Sequence, residues 1–112
     1  MSGVGVHVLA NLYGCAEELL TKVDAVREIL QKTVAEAELH QVGESFHQFE
    51  PVGVTGVVII SESHISIHTW PETNFAAVDI FTCGNEGNAE LAFEVLCKYM
   101  EPERVEKKVV KR

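Results

Sequence analysis

Ser61 to Glu72 runs Ser-Glu-Ser-His-Ile-Ser-Ile-His-Thr-Trp-Pro-Glu. It gathers hydroxyls, imidazoles and carboxylates where a packing strand would alternate plain apolar and polar residues. Ser61 and Ser63 flank Glu62, His64 and His68 follow, and a Trp70-Pro71-Glu72 corner closes the run. These are the residue types of nucleophilic attack and of proton transfer near neutral pH. Each has a plainer explanation on its own, because Ser and Thr are tolerated in half-buried strands and a single His is more often a hydrogen-bonded structural residue than a catalyst. Together they stand at the end of Gly56-Val57-Val58-Ile59-Ile60. That run is apolar on both faces and is expected to be a central buried strand delivering its polar end to one place, a reaction centre.

The remaining segments supply the elements that must position this centre. Gly3 to Leu12 is rich in Val and Leu and stops at Gly14, which predicts a first strand with His7 inside it. Ala16 to Lys22 is expected to be a short helical piece. From Asp24 to about Leu39, apolar Val26, Ile29, Leu30, Val34 and Ala37 recur at three- and four-residue steps, which predicts a helix with one buried face. His40 to Phe49 is expected to be a strand, with Phe46 a core candidate, and Glu50-Pro51 with Gly53 a turn. Phe49, at the exit of that strand, is well placed to stack on a planar base. Phe75 to Thr82 alternates as a strand ending at Cys83-Gly84, Asn85 to Asn88 is a turn and cap, and a helical stripe from Ala89 to Met100 is stopped by Pro102. Cys15 and Cys97 are expected to be structural. Arg104 to Lys111, with its lysines, is expected at a sheet edge. The order predicts an α+β two-layer sandwich, an antiparallel sheet with helices packed on one face and a second face in need of cover.

A chain of 112 residues, 46% of them hydrophobic, is long enough for one core and too short for two, so a single domain is expected. No apolar run reaches the length of a membrane span, and the N-terminus lacks a basic start and an apolar signal core, which predicts a cytoplasmic protein. Nine basic against seventeen acidic residues, a net charge of -8, disfavour nucleic acid or an anionic membrane as partner and favour a cationic small molecule. Three cysteines cannot all pair within the chain and show no Cys-x-x-Cys metal spacing, so no metal site is expected and reduced thiols are.

Gly56 to His64, followed by Ile67-His68-Thr69-Trp70-Pro71-Glu72 and by Phe81-Thr82-Cys83-Gly84, resembles the prokaryotic short-chain S-adenosylmethionine decarboxylases. The resemblance runs from about Gly3 to the last strand and is most specific between Gly53 and Gly84. It implies one domain, residues 1–112, that cleaves itself between Glu62 and Ser63 into fragments 1–62 and 63–112. Ser63 would attack the Glu62 carbonyl, an ester would replace the amide, and β-elimination would convert Ser63 into a pyruvoyl group, so that no external cofactor is needed. Such a step requires an activated nucleophile, oxyanion donors and a base. Thr55 is the expected donor to the cyclic intermediate and His68 the expected base.

The resemblance further implies that the pyruvoyl carbonyl forms a Schiff base with S-adenosylmethionine, that Cys83 protonates the former α-carbon, and that carbon dioxide and the aminopropyl donor for spermidine synthesis are the products. Phe49 and Trp70 match the aromatics that hold the adenine, and Glu72 matches the carboxylate that binds the ribose hydroxyls. The family's homodimer, with sites built from both subunits, would cover the second face of the sheet. Thr55 stands where some relatives carry Ser and keeps the hydroxyl, whereas Asn11 occupies a position that is often acidic. The same pyruvoyl chemistry on arginine or ornithine is the nearest alternative, and an unprocessed non-enzymatic homologue is a further one. Ser63 and His68 differ by five positions, so an ideal strand would point them to opposite faces; a bulge, or a Ser63 ahead of the regular strand, would be needed to reconcile them.

Overall fold

Alternating burial along the strands divides one antiparallel sheet into a covered face and a bare one. The structure, a computed structural model, describes residues 4–83 and 87–112. Its elements are β1 (Gly5–Tyr13), α1 (Val23–Glu36), β2 (Gln41–Gln48), β3 (Val54–Ile60), β4 (Ser63–Trp70), β5 (Phe75–Cys83), α2 (Gly87–Met100) and β6 (Arg104–Lys111), with 3-10 turns at Glu17–Leu19 and Pro71–Thr73. The strand order is β2-β3-β4-β5-β1-β6. The expected α+β two-layer sandwich is therefore the fold observed, and β6 lies at an edge as its lysines predict. Of the expected turn over Asn85 to Asn88, residues 85 and 86 lie outside the described residues, and 87 and 88 are not turn but the first residues of α2. No described helix is long and apolar enough to cross a membrane.

On the covered face, Val8 and Leu12 of β1, Val54 and Val58 of β3, Ile65 and Ile67 of β4 and Ile80 of β5 are completely or almost completely buried against Val26 and Leu30 of α1 and Leu96 and Met100 of α2. The i, i+3, i+4 spacing of each helix is what meets the period-two stripes of the strands. Gly56 belongs to this face because Phe46, its partner on β2, lies across it: a β-carbon there would come within 2.4 Å of the Phe46 ring. Phe46 thus packs against the core as expected.

The bare face carries His7, Leu9, Asn11 and Tyr13 of β1, Thr55, Val57 and Ile59 of β3, His64, Ser66, His68 and Trp70 of β4, and Phe75, Asp79 and Phe81 of β5, none of them buried. The expectation that Gly56 to Ile60 is buried on both sides fails here, since Ile59 is 48% exposed. Among the described residues no layer packs on its apolar second side.

Two helix ends explain where boundaries depart from expectation. Lys22 gives α1 no side-chain cap. Instead the Gln48 side-chain carbonyl accepts the Val23 N–H at 2.8 Å, while its amide donates to the carbonyls of Thr21, Phe49 and Gly53 at 2.9, 3.1 and 3.0 Å. At the other end, α1 stops at Glu36 rather than near Leu39. Glu38 takes a positive φ of 58°, with its N–H on the Ala35 carbonyl and the Leu39 N–H on the Val34 carbonyl. This is a Schellman closure, which turns Leu39 back onto the core without extending the helix.

Candidate active site

The Glu62–Ser63 bond lies in the tight loop between β3 and β4, where Ser61 and Glu62 link the paired residues Ile60 and Ser63. Two-residue hairpins normally absorb the strand twist with positive φ in the loop itself. Neither loop residue has one here, and the irregularity falls on Ser63, at φ 154°. For a residue with a β-carbon that conformation costs about 1–3 kcal/mol. β4 shows no bulge: its pairing with β3 runs unbroken from Ser63↔Ile60 to His68↔Thr55. Neither foreseen reconciliation of Ser63 with His68 is therefore observed: Ser63 is the first residue of the regular strand, and only its φ departs from strand geometry.

The carbonyl oxygen of Glu62 accepts the backbone N–H of Cys83 at 2.8 Å and its thiol at 2.9 Å. Two donors on one carbonyl oxygen favour negative charge there, the requirement of a tetrahedral intermediate. The Glu62 carboxylate in turn accepts the backbone N–H of His40 at 3.2 Å and lies 2.7 Å from its Nδ1, which must carry the proton because a carboxylate only accepts. Burial pushes the Glu62 carboxyl up, but the His40 ring and N–H, together with Glu62's own N–H, bring it below the usual carboxylate range. His40 was not expected as a functional residue.

Three further groups surround this end of β4. His64, on the bare face, contacts the rings of His7 and Phe81, and burial, reinforced by His7 and opposed by Asp79, lowers its pKa. His7 Nε2 lies 3.3 Å from Asp79 Oδ1. Thr82 is buried beneath the covered face, with no hydrogen-bond partner for its hydroxyl among the described residues. Of the three free thiols Cys83 is the exposed one; Cys15 is buried and pushed up to about 11, and burial also raises Cys97.

The opposite end of β4 opens on a cleft of about 370 Å³ whose lining includes Phe49, Thr55, His68, Trp70 and Glu72. Phe49 and Trp70 are 47% and 44% exposed, too much for core aromatics and apt for stacking on a flat ligand. Thr55 Oγ1 and His68 Nδ1, on paired positions of β3 and β4, are hydrogen-bonded at 2.9 Å, which orients the ring and leaves Nε2 for proton transfer. A larger cleft of about 640 Å³, lined by Cys15, Glu18, Asn74, Glu101 and Glu103 among others, contains none of the expected site residues.

The expected residues therefore form two groups, Glu62, Ser63 and Cys83 at one end of the sheet and Phe49, Thr55, His68, Trp70 and Glu72 at the other. Five residues of strand separate Ser63 from His68, about 17 Å. No side chain spans that distance, so within one chain His68 and Thr55 do not reach Ser63.

Comparison with known proteins identifies the family. The sequence pattern of the family described as S-adenosylmethionine decarboxylase matches residues 6–112. The S-adenosylmethionine decarboxylase proenzyme of Archaeoglobus fulgidus is 50% identical over 100 residues, 89% of this chain and 89% of that protein. That of Persephonella marina is 45% identical over 97% of this chain and 82% of its own length. The crystal structure of the adenosylmethionine decarboxylase from Aquifex aeolicus superposes with a TM-score of 0.96 at 40% identity, covering 100% of this chain and 92% of that one. With nearly the whole sequence matched and the same fold in a relative of high identity, the chain belongs to the S-adenosylmethionine decarboxylase family.

Proposed function

We propose that this protein is a self-processing S-adenosylmethionine decarboxylase, cut between Glu62 and Ser63 into fragments 1–62 and 63–112, with a pyruvoyl group made from Ser63. It works in the cytoplasm as a homodimer. Each site takes the Glu62, Ser63 and Cys83 end of one protomer and the Phe49, Thr55, His68, Trp70 and Glu72 end of the other. The observation that carries this reading is the Glu62 carbonyl held by two Cys83 donors beside a strained Ser63.

In processing, Ser63 Oγ attacks the Glu62 carbonyl carbon while the N–H and thiol of Cys83 hold the developing oxyanion. The C–N bond breaks, the proton from Oγ passes to the amine of Ser63, and an ester remains. The partner's His68, oriented by Thr55, then takes the Ser63 α-proton, the Cβ–O bond breaks, and Glu62 leaves as a carboxylate. Water replaces the nitrogen of the resulting unsaturated residue, ammonia departs and a keto group remains. The half-buried Val57 and exposed Ile59 and Leu9 of the bare face support a dimer that covers them.

The pyruvoyl group supplies the electron sink that decarboxylation requires. Ser63 fits its origin, being a hydroxyl residue at a strained peptide bond whose carbonyl is already polarised. Phe49 and Trp70 stack the adenine, Glu72 accepts the ribose hydroxyls, and Cys83 Sγ, freed from the Glu62 carbonyl by cleavage, delivers a proton to the former α-carbon of the substrate. The alternative of arginine or ornithine finds no support in the relatives described above, and a free amino acid has no use for the aromatic pair.

Intact-mass analysis of purified protein, with carbon dioxide release from labelled S-adenosylmethionine, arginine and ornithine, tests the reading. Two fragments and preferential turnover of S-adenosylmethionine are expected. One uncut chain would end the processing scheme, and preferential turnover of a free amino acid would end the substrate assignment.

A further inference from the structure

We propose that Thr82 is the positioning residue for self-cleavage, its hydroxyl holding the Ser63 hydroxyl for attack on the Glu62 carbonyl. The inference rests on the self-processing reading above. Thr82 is 1% exposed, and its Oγ1 has no partner among the described residues. Such an orphaned hydroxyl in a core costs free energy that a valine of the same shape would not, so the group is there for something absent from the resting contacts.

Register identifies the neighbour it serves. Thr82 on β5 pairs with Ser63 on β4 and with Val6 on β1. Along the covered face its further neighbours are Ile80 on its own strand and Ile65 on β4, both buried. Of these four, Ser63 alone carries a polar side chain. The hydrogen bond from the Cys83 N–H to the Glu62 carbonyl makes Glu62 and Cys83 a hydrogen-bonded pair, so Ser63 and Thr82 form the adjoining non-hydrogen-bonded pair, in which facing side chains lie closest. Two consecutive residues of β5 thus face the two reacting groups, Cys83 the carbonyl and Thr82 the nucleophile.

In the step proposed, Ser63 Oγ–H donates to Thr82 Oγ1, which aims an Oγ lone pair at the Glu62 carbonyl carbon. The Oγ–C bond forms, the C–N bond breaks, and the proton ends on the Ser63 nitrogen. A threonine hydroxyl is no base at neutral pH; it orients and removes no proton.

The test follows cleavage by intact mass in freshly translated full-length chains of the wild type, Thr82→Val, Thr82→Ala and Thr82→Ser, with melting temperatures measured in a Ser63→Ala background that cannot cleave. Thr82→Val and Thr82→Ala should cleave about ten-fold or more slowly, the loss expected for a lost orienting hydrogen bond. Thr82→Ser should stay within roughly three-fold of the wild type. Thr82→Val should melt no lower than its parent, which separates orientation from folding, and Thr82→Ala decides the matter if the valine variant does not fold. Wild-type cleavage rates in both hydroxyl-free variants, or a Thr82→Ser as slow as they are, would overturn the role of Thr82 while leaving self-processing intact. Absence of cleavage in the wild type would remove both.

Discussion

Cys83 donates twice to one atom: its backbone N–H and its thiol both reach the carbonyl oxygen of Glu62, at 2.8 and 2.9 Å. The polarised carbonyl belongs to the peptide bond proposed to break, and the thiol that polarises it is the one later needed for proton delivery. In the proposed scheme one side chain serves two stages at one place.

Cys83→Ala keeps the N–H donor and loses the thiol. Loss of a good oxyanion donor costs about 10²–10³ in rate, and a thiol is a weaker donor, so cleavage should slow by about ten-fold and still reach completion. Decarboxylation by the cleaved variant should fall much further and divert toward transamination of the pyruvoyl group, because no proton donor remains. A time course of intact masses and product analysis by mass spectrometry separate the two effects; equal losses in both would contradict the double role.

His40→Ala removes the ring beside the Glu62 carboxylate and leaves the backbone N–H. The folded carboxyl is the stronger acid, lying below its ordinary 4.5. Its contribution to stability is therefore complete above that value and fades as the pH falls through the lowered folded one. In a Ser63→Ala background, the drop in melting temperature between neutral pH and pH about 4 should be smaller in His40→Ala than in its parent. An identical drop would show that the contact contributes nothing to the loop.

Phe49→Ala should leave cleavage at Ser63 unchanged in rate and completeness while weakening substrate use. Stacking on one aromatic face is worth about 1–3 kcal/mol, so KM for S-adenosylmethionine should rise about ten-fold or more. Steady-state decarboxylation assays read this directly, and an unchanged KM would remove Phe49 from the adenine site.

Most of the fold is legible in period alone, because the helical stripes on Val26 to Val34 and Ala89 to Met100 and the alternation of Phe75 to Thr82 are the faces that meet in the core. Ile59 misled because an apolar side chain facing solvent in one chain is written the same way as one facing a neighbouring layer. Leu39 misled because a Schellman closure buries an apolar residue just past the last turn, at a spacing the helix itself would use. The contacts that hold the site were out of reach for a different reason. Gln48 caps α1 from 25 positions away, His40 meets Glu62 across 22, and Cys83 meets Glu62 across 21. Register decides such pairings, and no local pattern encodes it. The candidate site residues Phe49, Thr55, His68, Trp70 and Glu72 could be singled out in sequence, but their gathering around one cleft far from Ser63 could not.

That distance is the centre of the account, and subunit complementation measures its consequence most directly. Chains carrying His68→Ala and chains carrying Ser63→Ala, distinguished in mass by a short tag and each uncleaved or slow alone, are produced together. In a mixed dimer the Ser63 of the His68→Ala chain faces an intact His68 on its partner, so the His68→Ala chain should be cut between Glu62 and Ser63 at a rate approaching that of the wild type. If it remains uncut in demonstrated mixed dimers, His68 serves the serine of its own chain and the two-subunit site is wrong.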